Sequence, residues 1–245
     1  MALGGKTNFK DLLDGFKGSH RAAGSDLIQI TGRLLKGFKK THERSLKPHK
    51  TTADDFNLLD TLGISGEEVR HSMMLAWLLN REATHAQANL GFRLFLKLVG
   101  LNGEYAETPY RVVREMSGME SRIDVEVATP GEFIVHIENK IHSDEGYSDQ
   151  GEAQTQREWR DLLRRASELE VRKANVHGFF LTLDRHAPAS PEFHAISWQQ
   201  IADVLDDFST MSKAKQVSLF AAHYAQALRR MSFEQIQAYE DENQE

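Results

Sequence analysis

Between Ser121 and Ile141 the sequence SRIDVEVATPGEFIVHIENKI alternates apolar and polar residues through two runs, split at Thr129-Pro130-Gly131. Alternation of period two, broken by a proline and a glycine, specifies a β-hairpin. Side chains leave a strand on opposite faces in turn, so Arg122, Asp124 and Glu126 share one face and Ile123, Val125 and Val127 the other. On the second strand His136, Glu138 and Lys140 lie opposite Phe133, Val135, Ile137 and Ile141. With the turn centred near Pro130, Asp124 is expected across from about His136, and Glu138 in diagonal reach of it. Carboxylates so placed repel one another unless positive charge stands between them, and a hard divalent cation on oxygen ligands fits that role. Lys140 would then stand beside the cation, to orient or deprotonate a water or to balance charge on a phosphate, and the Asn139 carbonyl is a further candidate ligand. The same pattern also suits a solvated sheet face laced with ion pairs worth about 0.2–1 kcal/mol each. Spacing alone leaves both readings open.

The hairpin sits in a longer alternation of elements. Leu27, Ile28, Ile30, Leu34, Leu35 and Phe38 suit one amphipathic helix that Pro48 ends. A short helix is expected over 56–63, and a stronger one capped by Ser65, with Val69, Met73, Ala76 and Trp77 at core spacing and Leu75, Leu78 and Leu79 broadening the face. Residues 88–100 read as a third helix. After Pro109 the period changes to three strands, YRVVREM, SRIDVEVA and EFIVHIENKI. A charged helix follows over 149–170, with Trp159, Leu162, Leu163 and Leu169 facing inward. VHGFFLTLD then reads as a central strand, FHAISW as an edge strand, and two or three helices close the chain from Gln199. Hairpin-linked strands followed by a helical crossover predict an α/β sandwich around a mixed sheet.

Composition narrows the chemistry. With no cysteine in 245 residues, disulfides, thiolate metal sites and cysteine nucleophiles are excluded, so a metal must sit on oxygen or imidazole. No apolar run reaches the roughly 20 residues that cross a bilayer, and the first residues lack a signal peptide's apolar core, so a cytoplasmic protein with no membrane partner is expected. Residues 1–50 carry eleven Lys and Arg against four acids, whereas the rest carry nineteen against thirty-two. The basic arm suits a polyanion, or equally a solvated segment pairing with the protein's own acidic surface. Phosphate-loop, dinucleotide and zinc-helix signatures are absent from the sequence.

Two separated motifs carry a resemblance. EVRHSMMLAWLL, from Glu68 to Leu79, precedes RIDVEV and HIENKI. Together they resemble the PD-(D/E)xK nuclease superfamily, and more closely a bacterial and phage branch with an early E-x-x-H-S helix and a later I-E-N-K-I strand. The resemblance covers about residues 56–208 and implies a restriction-endonuclease-like α/β/α sandwich with a central mixed sheet. It makes Asp124 and Glu138 metal ligands, Lys140 the catalytic lysine, and Glu68 an acid reaching the same cluster from its helix. His71 is expected to hydrogen-bond in the core. Gln154 is the match for a glutamine that opens the helix after the lysine strand, with Gln150 and Gln156 competing. Two departures stand out: Ile123 replaces the proline before Asp124, and the segment after Lys140 is longer than in relatives, with Trp159 near a position where they carry tyrosine.

The resemblance implies an Mg2+- or Mn2+-dependent nuclease acting on DNA. Residues 51–210 would form its core, 1–50 a basic arm, and 211–245 helices packed on the core. Arg111, Arg114 and Arg122, with Lys36, Lys39 and Lys40 of the arm, are candidates for phosphate contact. Homodimerisation through the arm or VSLFAAHYAQAL is expected if both strands of a duplex are cut. The rival reading is a catalytically weak or inactive nuclease-like component of a phage-defence or restriction system, binding nucleic acid or protein.

Overall fold

The computed structural model describes Ala53 and residues 55–64, 66–141 and 145–242. The basic arm, its expected helix with Lys36, Lys39 and Lys40, and the expected cap Ser65 lie outside the described residues. The chain divides into two compact units, Met1–Phe56 and Asn57–Glu245, and every helix and strand described belongs to the second.

Five strands form one mixed sheet: β1 (Arg111–Ser117), β2 (Arg122–Thr129), β3 (Phe133–Asn139), β4 (Val176–Thr182) and β5 (Phe193–Ser197). They lie side by side in chain order. β1, β2 and β3 are antiparallel, whereas β4 runs parallel to β3 and β5 parallel to β4. The apolar strand β4 is interior as its composition requires, but β3 holds the middle place. Every residue of β3 is buried, which an antiparallel strand with one wet face cannot be. Helices must therefore cover both faces.

The thicker layer holds α1 (Leu58–Thr61), α2 (Glu68–Leu79), α3 (Leu90–Val99), α5 (Trp198–Met211) and α6 (Lys215–Glu242). Their apolar side chains meet Val125, Val127, Phe133, Val135 and Ile137 on one side of the sheet. Among the described residues the other layer is the single helix α4 (Gln154–Glu168), whose Leu162 and Ala166 pack on Ala128, Ile134 and Val176. The expected α/β/α sandwich is present. The stretch VSLFAAHYAQAL lies in α6 and spends Ala221, Tyr224, Ala225 and Leu228 on the protein's own core.

Local differences from the sequence reading have physical causes. Thr129 pairs with Phe133, so the hairpin closes through a three-residue loop with Gly131 in the left-handed region at φ +78°. The register therefore sets Glu126, not Asp124, opposite His136. Helix α2 begins at Glu68 with Glu67 as its uncapped N-cap, and turns His71, Ser72, Leu75 and Leu79 inward. Val69 and Met73, expected in the core, are 59% and 42% exposed. Polar side chains hold the inner face of α2 in place of those two apolar ones, because Ser72 and the helix's first carbonyl bond to the sheet. Helix α4 is shorter than expected, and buries Thr155, Glu158 and Asp161 alongside Leu162, while Trp159, Leu163 and Leu169 are only partly covered. Asp161 is used structurally: it accepts from the Glu120 and Ser121 amides and the Ser121 hydroxyl, fastening the β1–β2 turn to α4.

Gly91 lets α3 approach α2 so closely that an added Cβ would overlap the Leu78 carbonyl oxygen, a backbone atom that no rotamer change can move. Gly91→Ala is expected to lower the unfolding free energy by about 1–3 kcal/mol, measured by denaturant titration with far-UV circular dichroism.

Candidate active site

The first turns of two helices and the ends of two strands bring the candidate side chains together. Glu68 is the first residue of α2 and Gln154 the first of α4. Asp124 lies on β2, and Glu138 and Lys140 lie at the end of β3. Val125 pairs with Ile137, so the register continued by one step sets Asp124 directly across from Glu138. The loop that displaced His136 thus moves Glu138 from the expected diagonal to the register position opposite Asp124.

Each group has defined partners. Lys140 Nζ stands 2.9 Å from Glu138 Oε1, and Gln154 Nε2 donates to the same oxygen at 2.6 Å. Asp124 Oδ2 accepts from the Asn139 amide at 2.8 Å, and Glu68 Oε1 accepts from the Ile141 amide at 2.8 Å. Of the three glutamines, Gln154 is the one bonded to Glu138, whereas Gln156 caps the helix by accepting from the Ala153 amide and Gln150 is exposed. Asn139 differs from the other candidates. Its side chain crosses to the opposite face of the sheet, donating to the Glu68 carbonyl at 2.9 Å and Ser72 Oγ at 3.1 Å, and accepting from Trp198 Nε1 at 3.1 Å. His71 is buried, with Nδ1 3.0 Å from the Tyr224 hydroxyl. Arg122 is exposed and paired with Glu115 at 2.7 Å, while Arg111 and Arg114 also face solvent.

Burial removes the solvated-face reading. Glu126, His136 and Glu138 are each 2% exposed beneath α4. Glu126 and His136 Nε2 bond one another at 2.8 Å, and burial holds the imidazole below its ordinary pKa although the carboxylate opposes this. Around Glu138 no such balance exists. Burial, then the Asp124 charge, pushes the Glu138 carboxyl up to about 7 despite Lys140. Burial raises Asp124 too, partly offset by the Asn139 amide and Lys140. For Lys140, burial works against the charged form, but the carboxylates of Glu138, Glu68 and Asp124 outweigh it and hold the ammonium above its ordinary pKa.

One residue of this cluster escaped sequence reasoning. Glu158 is fully buried, accepts from Gln154 Nε2 at 2.6 Å, and is raised to about 10 by burial first and the Glu138 charge second. Its signal was present as the i, i+4 spacing from Gln154, hidden in a helix that reads as charged on every side.

Among the described residues no three acids or histidines already meet as a metal cage. The donor set nevertheless fits a hard cation: the acids raise one another's proton affinity, and Glu138 Oε2 is buried without a hydrogen-bond partner. Facing acids, one followed two residues later by lysine, are the core of a nuclease signature, and a family model described as the PD-(D/E)XK nuclease superfamily matches residues 56–244. The chain belongs to the PD-(D/E)XK nuclease superfamily. Comparison with curated proteins and with solved structures returns no match. Nucleases of this superfamily generally use divalent metals. Among the described residues no helix is long and apolar enough to cross a membrane.

In metal-free buffer between pH 7.5 and 9, folded Glu158 keeps a proton that the unfolded chain, with glutamate near its ordinary pKa, has lost. The folded state binds more protons there, so stability falls as pH rises, by up to about 1.4 kcal/mol per pH unit. Denaturant titrations across this range are expected to show that slope in the wild-type protein and its loss in Glu158→Gln.

Proposed function

We propose that this chain is a cytoplasmic Mg2+- or Mn2+-dependent endonuclease that hydrolyses DNA. The reading is carried by the placing of Asp124 and Glu138 on adjacent strands, each one step past the paired Val125 and Ile137, with Lys140 bonded to Glu138. Asp124 and Glu138, with Glu68 and the Asn139 carbonyl, would hold the cation. When bound, that cation acidifies water and draws charge from the scissile phosphate.

The chain's own groups divide the remaining work. Lys140 is held as an ammonium by the acids around it, so it serves as a donor that orients the attacking water and meets phosphate charge, not as the base. Gln154 fixes Glu138 by donating to Oε1, leaving Oε2 toward a ligand. Hydrolysis adds water across the phosphorus–oxygen bond, releasing the 3′-oxygen as a hydroxyl. Exposed Arg111, Arg114 and Arg122 on β1 and β2 are suited to backbone phosphates flanking the site. The E-x-x-H-S helix and I-E-N-K-I strand support the bacterial and phage branch, with residues 51–210 as the core and 211–245 as helices packed on it.

A panel of linear, circular and single-stranded DNA and RNA, each with Mg2+ or Mn2+, tests this. DNA cleavage is expected, falling about 10²-fold or more in Glu138→Ala and in Lys140→Ala. No cleavage of any substrate with either ion overturns the reading in favour of a binding component of a phage-defence or restriction system, and undiminished cleavage by Glu138→Ala overturns the placing of the chemistry at this site.

A further inference from the structure

Glu138 and Glu158 share one donor. Gln154 Nε2 lies 2.6 Å from Oε1 of each, so the amide occupies one oxygen of both carboxylates. The second oxygens, Glu138 Oε2 and Glu158 Oε2, are both buried and without a hydrogen-bond partner. The two side chains are nonetheless within hydrogen-bonding reach of one another. Two carboxylates cannot be held this close in a low-dielectric interior unless something positive lies between them. A proton can do so, and so can a hard cation.

We propose that Glu158 is a ligand for a divalent cation, which it binds together with Glu138 through their free Oε2 oxygens. The inference rests on the nuclease reading for Glu138 but adds a ligand from α4 that the sequence motif does not contain. Three observations support a cation over a permanently shared proton. Both free atoms are carboxylate oxygens, the donor type that hard divalent cations prefer. Lys140, the cation nearest to Glu138, bonds its Oε1 and leaves Oε2 open. Gln154, whose two bonds hold both carboxylates in register, fixes the pair as a preorganised clamp at the N-terminus of a 15-residue helix, so little side-chain freedom remains to be lost on binding.

Substituting glutamine for Glu158 separates the two bridges, because a glutamine amide donates to Glu138 as a protonated acid does but supplies no anionic oxygen. MnCl2 is titrated calorimetrically into the full-length wild-type protein and into Glu158→Gln, Glu158→Asp and Asp124→Asn, with folding verified by circular dichroism. Glu158→Gln is expected to bind Mn2+ at least about tenfold more weakly than wild type. Glu158→Asp, which keeps the charge on a shorter arm, is expected to fall between them. If Glu158→Gln and Glu158→Asp both match the wild type while Asp124→Asn weakens binding, the bridge is a proton and this inference alone is overturned. If the wild-type protein takes up no Mn2+, the nuclease reading falls with it.

Discussion

Asn139 holds the site together from three directions. Its backbone amide fixes Asp124 on β2, its side-chain amide fixes the first turn of α2 through the Glu68 carbonyl and Ser72, and its oxygen receives the indole of Trp198 at the start of α5. One buried residue thus sets the distance between two strands and two helices where the acids gather. Its chain neighbours, Glu138 on β3 and Lys140 just past the strand's end, face the other way because side chains alternate along extended backbone. The charged groups gain a rigid footing on one face of the sheet from polar contacts made on the other. Any substitution that loosens Asn139 displaces Asp124 and Glu68 together.

Rigid placement explains why the acids can be buried so close to one another. Isolated buried carboxylates cost several kcal/mol each, and a protein ordinarily neutralises them or pairs them. Glu126 and Asp161 follow that rule, the first with His136 and the second with three donors from the β1–β2 turn. Asp124, Glu138 and Glu158 do not reach such a balance, and burial raises all three. The contrast on a single sheet face separates structural acids from those kept poised. Lys140 alone is too little compensation for three carboxylates, and the proposed divalent cation would supply what is missing.

The hairpin, the mixed sheet and the shared strand face of Asp124, Glu138 and Lys140 were legible because period-two alternation and turn residues are local signals. The pairing of Asp124 with Glu138 was not, since one extra residue in the Thr129–Phe133 loop shifts every partner, and loop conformation depends on contacts such as the Gly131 amide to the Leu169 carbonyl. The inner face of α2 was misassigned for a related reason: hydropathy favours Val69 and Met73, while specific bonds bury His71 and Ser72. Glu158 left only its i, i+4 spacing from Gln154 as a signal, because burial of a charged residue is decided by partners distant in sequence, here Glu138.

The account stands on the opposed acids of β2 and β3 forming a cation site. Crystals grown with Mn2+ and measured at the manganese absorption edge examine this directly. An anomalous peak in contact with the carboxylates of both Asp124 and Glu138 is the result the account requires. A Glu138 carboxylate still held by Lys140 and Gln154 at saturating Mn2+, with no peak beside it, would contradict it.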